Sequence, residues 1–325
     1  AMLAWKADRH DVNVQSSTTF TQVDGDTVNL PNLSGHRDVK STGCPGQRLY
    51  DLLPSLRTQV AAIVQSAHGL TRGYWTALSD GRVFPFGEAR SVGSMEGQRL
   101  NAPVIGMAAT TSDNGYWLLG GDGGIFSFGD ARFHGSTGGI RLNQPVVGMA
   151  PTPTGGGYWL VASDGGIFAF GDAGFYGSTG SIRLNKPVVG MAPTRSGRGY
   201  WLVASDGGIF AFGDARFHGS TGSIRLNSPV TSMAAAPDGS GYWLIARDGG
   251  VFAFNVPFHG SVPGLGISNY AGSSVMRGTS TGRGYYVLGL DGSVLTFGDA
   301  RFHGARSASP ATARDMALID PPPTP

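Results

Sequence analysis

Short apolar runs separated by glycine-rich turns recur at a constant spacing from Gly73 to the end of the chain. The triplet Gly-Tyr-Trp starts at Gly73 and returns every 42 residues, and a last variant, Gly-Tyr-Tyr, follows after 43 residues. A repeat of this length, rich in strand-forming residues and glycine, predicts a closed repeat architecture, because one unit alone cannot bury its apolar face.

One copy, residues 187–220, contains four predicted strands. The first is an apolar run after a proline, the second starts at Tyr200 and is aromatic and β-branched, and the third starts at Ile209 and alternates large with small residues. Asp206-Gly207 lies between the second and third and is a strong hairpin signal, since glycine adopts positive φ without steric cost. A fourth, weaker strand starts at Phe217. Four antiparallel strands per repeat predict one blade of a β-propeller.

The Asp-Gly turns give the number of blades, since one turn belongs to each hairpin. Six are present, at Asp80, Asp122, Asp164, Asp206, Asp248 and Asp291. The first blade lacks its own first strand, because the step back from Met107 lands on Gln65, in a segment that predicts a helix. A spare strand occupies residues 314–319, so we expect a six-bladed ring whose C-terminal strand completes the N-terminal blade and leaves no open edge. A seven-bladed ring would require another hairpin.

Composition and charge limit the function classes. The pattern predicts a mainly β chain with the propeller at 68–320, an extended proline-rich tail at 321–325 and a separate segment at 1–67. The net charge is +2 and 14% of residues are charged, with no basic run longer than two, which argues against nucleic-acid binding. No apolar stretch is long enough to span a bilayer. Cys44 is the single cysteine, so no internal disulfide is expected.

Repeated polar side chains form rings in a propeller and are therefore candidate binding residues. An Arg-Leu-Asn connector supplies four of them: Arg99, Arg141, Arg183 and Arg225. Their guanidinium groups are suited to contact an anionic polymer at equivalent places around the ring. In the alternative interpretation, each arginine packs on a neighbouring blade and donates hydrogen bonds to loop carbonyls.

Three other repeated side chains have structural interpretations. The histidines share one repeat position with a tyrosine and a valine, which a metal site would not accept, so we expect them beside aromatic rings: His134, His218, His259 and His303. The tryptophans of the Gly-Tyr-Trp triplets are expected in the core, and stacking of sugars on exposed tryptophans is the alternative. The turn aspartates are expected to serve the hairpins, because they lack the spacing of a calcium loop.

The most specific string of the chain lies before the repeats, at residues 33–46. It contains Gly-His-Arg-Asp around His36 and Cys-Pro-Gly from Cys44, and zinc is suited to an imidazole nitrogen and a thiolate. A histidine and a cysteine at this spacing are by themselves more often structural.

The full string resembles the C-terminal zinc motif of the peptidoglycan recognition protein and type 2 N-acetylmuramoyl-L-alanine amidase family, over about residues 3 to 66. The resemblance implies that residues 1–67 are a small partial α/β segment, that His36 and Cys44 are zinc ligands and that Thr42 assists catalysis. In that family zinc polarises the scissile amide and activates a water.

The chain departs from the family in one large respect. Family members carry a further zinc histidine and a catalytic tyrosine upstream, together with most of the central sheet, and His10 does not match the missing ligand. We therefore expect an incomplete zinc site that is not catalytic in this chain as it stands.

The repeats resemble RCC1-type propeller repeats, and more closely the Gly-Tyr-Trp repeats appended to actinobacterial cell-wall and secreted proteins. The first hypothesis is a propeller that binds peptidoglycan or another cell-wall or surface glycan. The alternatives are a zinc amidase with the propeller as targeting module, and a scaffold that docks a protein partner on a propeller face. The resemblance implies a location outside the cytoplasm, although the first residues do not have the pattern of a signal peptide.

Overall fold

The computed structural model describes residues 17–21, 27–31, 72–267 and 269–319. The chain divides into two compact units, Ala1–Leu70 and Thr71–Pro325. In the first unit, strands β1 (Ser17–Thr21) and β2 (Thr27–Pro31) pair antiparallel, with Thr19 opposite Asn29. The amidase segment and the C-terminal helix predicted from the sequence belong to this unit. Apart from β1 and β2, they fall outside the described residues.

The second unit is built from short strands of four to seven residues. In chain order they are β3 (Gly73–Leu78), β4 (Val83–Gly87), β5 (Val104–Ala109), β6 (Gly115–Gly120), β7 (Ile125–Gly129), β8 (Val146–Pro151), β9 (Gly157–Ala162), β10 (Ile167–Gly171), β11 (Val188–Pro193), β12 (Gly199–Ala204), β13 (Ile209–Gly213), β14 (Val230–Ala235), β15 (Tyr242–Ala246), β16 (Val251–Phe254), β17 (Ser273–Gly278), β18 (Gly284–Gly289), β19 (Val294–Gly298) and β20 (Ala313–Ile319). One short 3-10 turn, Pro263–Leu265, interrupts a connector.

These strands form six antiparallel sheets within residues 72–319, which we call blades 1 to 6. Blade 1 has the order β20-β3-β4, and the other five blades each use three consecutive strands, from β5-β6-β7 to β17-β18-β19. The first strand of each blade lies beside the first strands of both neighbouring blades, so β20, β5, β8, β11, β14 and β17 make a closed inner ring. This arrangement is a six-bladed β-propeller, mainly β as predicted.

The predicted closure is confirmed by the pairing of the two ends of the propeller. Met316 of β20 lies opposite Thr76 of β3, and Ile319 lies opposite Gly73. A buried carboxylate holds the same seam, because Asp315 accepts a hydrogen bond from the backbone N–H of Met107 in blade 2, at 2.9 Å. Asp315 also pairs with Arg277 of blade 6, whose Nε donates to the carbonyl of Met316. The inner strand β20 of blade 1 is thereby tied to both neighbouring blades.

The prediction of four strands per blade is wrong, since each blade has three. The segment expected as the fourth strand in blade 4, Phe217–Ser220, makes no ladder with β13. Its backbone groups are satisfied by aromatic side chains instead. Trp201 Nε1 donates to the carbonyl of Arg216 at 2.6 Å, and the hydroxyl of Tyr242 in the next blade contacts the N–H of His218 and the carbonyl of Gly219 at 3.0 and 2.7 Å.

The core is divided into clusters that lie between neighbouring blades. Between blades 3 and 4, for example, Trp159 and Val161 pack on Met191, Tyr200 and Leu202. The rings of Trp159 and Tyr200 meet edge to face, with centroids 5.8 Å apart. Because each cluster takes residues from two blades, no blade buries its apolar surface without its neighbours.

The antiparallel strands give the propeller two ends. The turns between the second and third strands of each blade contain the Asp-Gly pairs and form the end that we call the hairpin face. The turns between the first and second strands form the other end, the turn face. On the turn face, four blades carry a hydroxyl pair that donates to one aspartate, as Thr194 and Ser196 do to Asp214 at 2.8 and 2.5 Å.

Candidate functional site

The Asp-Gly turns of the hairpin face use the aspartate for turn geometry, as predicted. Asp206 Oδ1 accepts the N–H of Gly208 at 2.9 Å, and its backbone carbonyl accepts the hydroxyl of Thr221. Gly207 has a φ of 77°, and a Cβ there would lie 1.8 Å from Thr221 Oγ1, so only glycine fits. The turn and the connector that follows are therefore locked together on this face.

The four predicted arginines lie on these connectors. In the connector after blade 3, Thr179 donates its N–H to the carbonyl of Gly165 in the hairpin turn, and the N–H of Ile182 donates to the carbonyl of Thr179. This short turn holds Ile182 and the adjacent Arg183 at the hairpin face. The Arg-Leu-Asn sequence recurs in the equivalent connectors, so the other three arginines occupy the same position on this face. We call the four residues the arginine ring: Arg99, Arg141, Arg183 and Arg225.

All four side chains of the arginine ring are exposed. Within the described residues none of them makes a hydrogen bond or an ion pair, in contrast to Arg72, which pairs with Asp113 at 2.7 Å. The alternative in which each arginine donates hydrogen bonds to loop carbonyls is therefore not what the structure contains. A guanidinium without an internal partner keeps all five donors for a ligand.

A small depression lies next to one member of the ring. It has a volume of about 260 Å³ and is bounded by Gln144 from the connector between blades 2 and 3, and by Ile182 and Lys186 from the connector between blades 3 and 4. Lys186 adds a second cation to this part of the hairpin face, and Asp164 of the hairpin turn adds a carboxylate. The wall of this depression therefore combines polar and apolar side chains.

The repeated histidines lie beside aromatic rings, which confirms the prediction. His134 meets Tyr158 edge to face with ring centroids 5.5 Å apart, and His218 meets Tyr242 at 5.6 Å. The Nε2 atoms of His134, His218 and His259 are buried, without a hydrogen-bond partner in the described residues. Within residues 72–267 and 269–319, no group of three or more His, Cys, Asp or Glu side chains is placed to hold a metal ion.

The repeated tryptophans are core residues, as predicted, and the alternative prediction that sugars stack on exposed tryptophans is wrong. Trp75, Trp117, Trp159, Trp201 and Trp243 are each at most 2% exposed. Their indole N–H groups are also occupied, as in Trp117, which donates to the carbonyl of Arg132 at 2.7 Å. Neither the ring faces nor the polar edges of these tryptophans are available to a ligand.

The structure contains exposed apolar side chains that the sequence reasoning missed. Phenylalanines that follow the turn after the third strand, and apolar residues of the connectors, are more than 40% exposed, namely Phe133, Phe175, Phe217, Phe258, Phe302, Ile140, Ile182, Ile224, Leu265 and Ile267. The available signal was that blade 1 carries polar residues, Ser91 and Gln98, at the corresponding positions. A position that accepts serine in one copy is not required for the core.

A central cavity of about 550 Å³ lies along the inner strands. Methionine, alanine and proline residues form most of its wall, and Arg195 and Arg277 contribute guanidinium groups. Burial raises the pKa of the Asp315 carboxyl above its ordinary value, against the opposing effect of the Arg277 charge. Because Arg277 is already paired with Asp315, we assign this pair to closure of the ring.

The predicted zinc ligands His36 and Cys44, and the predicted catalytic residue Thr42, lie outside the described residues. Their roles stay predictions from the family resemblance. Among the described residues, no helix is long and apolar enough to cross a membrane.

No protein-family model and no curated protein matches this sequence. Among solved structures, the chain is similar to the β-propeller domain of Cps50 (Swd1) from Myceliophteria thermophila. The similarity has a TM-score of 0.46 and 10% sequence identity, and covers 71% of this chain and 80% of that chain. The fold assignment rests on the six sheets and on the contacts that close their ring.

Proposed function

We propose that the propeller binds peptidoglycan or a related anionic cell-wall glycan through the arginine ring. The observation that carries this proposal is the set of four exposed guanidinium groups at equivalent positions on the hairpin face, without partners in the described residues. Such groups form paired hydrogen bonds with carboxylates and phosphates. Wall glycans present these anions at regular intervals, so several arginines can bind one polymer together and raise its apparent affinity.

Two further observations favour a wall polymer over other anionic partners. The net charge of the chain is only +2, which is low for a protein that follows a nucleic-acid backbone. The first 66 residues resemble a peptidoglycan amidase family, which supports a location outside the cytoplasm and at the wall. In this proposal the propeller supplies binding, and the function does not depend on hydrolysis at the predicted zinc motif.

Cosedimentation of the whole chain with purified peptidoglycan tests the proposal. Replacing all four residues of the arginine ring by glutamine should weaken binding at least about tenfold, and binding by the unaltered chain should fall as salt is raised. The matched control replaces four exposed arginines of the turn face by glutamine, namely Arg72, Arg195, Arg198 and Arg283, which gives the same net charge. Surface ion pairs such as that of Arg72 add little stability, so the control should fold.

The two variants separate a site from a general charge effect. If both lose binding equally, net charge alone would explain the interaction and the hairpin face would have no special role. If neither variant loses binding, the arginine ring is not the contact surface.

A further inference from the structure

Five phenylalanines share one repeat position and are exposed. We call Phe133, Phe175, Phe217, Phe258 and Phe302 the phenylalanine ring. The first four have 59 to 63% of their surface exposed, and Phe302 has 43%. Each follows the turn after the third strand of its blade, in a segment that crosses from the turn face to the hairpin face. They therefore lie around the perimeter, away from the central cavity.

The backbone on both sides of each phenylalanine is held in place. Before Phe217, the carbonyl of Arg216 accepts the indole N–H of Trp201, and after it the N–H of His218 donates to the hydroxyl of Tyr242. The same pair of bonds flanks Phe133, Phe175 and Phe258. The exposed rings are thus carried on fixed backbone, so little conformational entropy is lost when a ligand binds them.

Blade 1 provides an internal control for the structural importance of these rings. It has Ser91 at this position, yet Trp75 still donates to the carbonyl of Arg90 at 2.7 Å and the hydroxyl of Tyr116 still donates to the carbonyl of Gly93. Two of the three hydrogen bonds that hold this segment in blade 4 therefore form without a phenylalanine, and the third, from the N–H of the next residue to the tyrosine hydroxyl, is not formed in blade 1. An exposed aromatic ring that these two bonds do not need, but that is present in the other five copies, indicates a surface role.

We infer that the phenylalanine ring is a second binding surface, on which the sugar rings of a glycan stack. This inference rests on the proposed function and extends it to the uncharged part of the same polymer. The C–H groups on one face of a pyranose sugar are suited to the negative face of an aromatic ring. One exposed phenylalanine in each of five blades, at a repeating position, fits a repeating polymer of rings.

The surroundings of each phenylalanine favour a sugar over a protein or lipid surface. Phe133 and Phe217 each follow an exposed arginine and precede a half-buried histidine, so the apolar surface is broken by polar groups. Protein interfaces bury a contiguous apolar centre, whereas the sequence neighbours of Phe133 and Phe217 are polar. A neighbouring guanidinium can in addition donate hydrogen bonds to sugar hydroxyls.

The test measures binding of the whole chain to chitin, an insoluble neutral polymer of N-acetylglucosamine, and to glycan strands freed of their peptides, both in 1 M NaCl. High salt suppresses the arginine contribution, because the screening length falls to about 3 Å. Replacing the five phenylalanines by serine, the residue of blade 1, should weaken binding at least about tenfold. The control replaces Ile140, Ile182, Ile224 and Leu265 by glutamine, which blade 1 carries at that position, and should bind like the unaltered chain.

Several results would overturn the inference. These are no binding of the unaltered chain to either polymer, equal loss in the control, or a phenylalanine-dependent signal only with phosphatidylglycerol vesicles or in self-association. The outcome is separable from the test of the arginine ring. Loss of neutral-glycan binding only in the serine variant supports this surface even if the arginine variant still binds peptidoglycan at low salt. Loss of the low-salt interaction only in the arginine variant supports the first proposal alone.

Discussion

Blade 1 and blade 4 use the same inner design but have different surfaces. Both bury a tyrosine and a tryptophan, Tyr74 and Trp75 in one and Tyr200 and Trp201 in the other, to 2% exposure or less. On the connectors that follow them, blade 4 has exposed Phe217 where blade 1 has a serine, and an exposed isoleucine where blade 1 has a glutamine. The comparison separates two kinds of repeated residue, those that hold blades together and those that the fold does not need.

Blade 1 also differs in how it is assembled, and removing its first strand is expected to have the largest effect on stability. Its first strand, β20, comes from the other end of the propeller, and Asp315 on that strand binds groups of blades 2 and 6. Ending the chain before Ala313 should remove cooperative unfolding, because β3 loses its partner and Arg277 loses its carboxylate. Thermal unfolding followed by circular dichroism measures this. A truncated chain with an unchanged transition would contradict the role of the seam.

The next effect contrasts the two kinds of aromatic residue within one blade. Trp201→Ala should lower the free energy of unfolding by about 3–5 kcal/mol, because it opens a cavity between blades and frees the carbonyl of Arg216. Phe217→Ser should change it by no more than about 0.5 kcal/mol, as for an exposed position. Urea denaturation of both variants tests the difference. Similar losses in the two would remove the distinction between core and surface rings.

A smaller effect on stability is expected from the hydroxyl pair and aspartate on the turn face of blade 4, an arrangement that blade 1 does not share. Hydrogen bonds from Ser196 and then Thr194 lower the pKa of Asp214 below its ordinary value of 3.8. A carboxylate with a lower pKa in the folded state stabilises the fold above pH 3.8 and loses this contribution as the pH falls through the folded value. Asp214→Asn should therefore lower the free energy of unfolding near neutral pH by less than about 1 kcal/mol, because the carboxylate is exposed and water screens it. This loss should shrink below pH 3.8.

Urea denaturation of both proteins at several pH values measures that dependence. A difference in unfolding free energy that stays constant from pH 7 to pH 2.5 would show that ionisation of Asp214 does not stabilise the turn.

The sequence pattern predicts the strands and the closure of the ring because both depend on local and repeated signals. Asp-Gly turns, alternating apolar residues and the spare strand around Met316 are visible in one copy of the repeat or in a simple count of copies. The buried state of the tryptophans follows from the same pattern.

The three-stranded blade could not be predicted in this way. The Arg-Phe-His-Gly segment has the composition of a strand, but its backbone partners are side chains of Trp201 and of Tyr242, in the next blade. Such contacts depend on how blades pack, which the pattern within one repeat does not contain. For the same reason Phe217 was counted as a strand residue and its exposure was missed. His36, Thr42 and Cys44 stay predictions, because the described residues do not include them.

The central claim is that repeated surface residues act together as one multivalent site. Its most direct test is the affinity of the whole chain for peptidoglycan after stepwise replacement of Arg99, Arg141, Arg183 and Arg225 by glutamine. The account predicts that the dissociation constant rises with each replacement, and that stepwise replacement of the turn-face arginines leaves it nearly constant. A dissociation constant that does not change across the first series, or that rises equally in both, would contradict it.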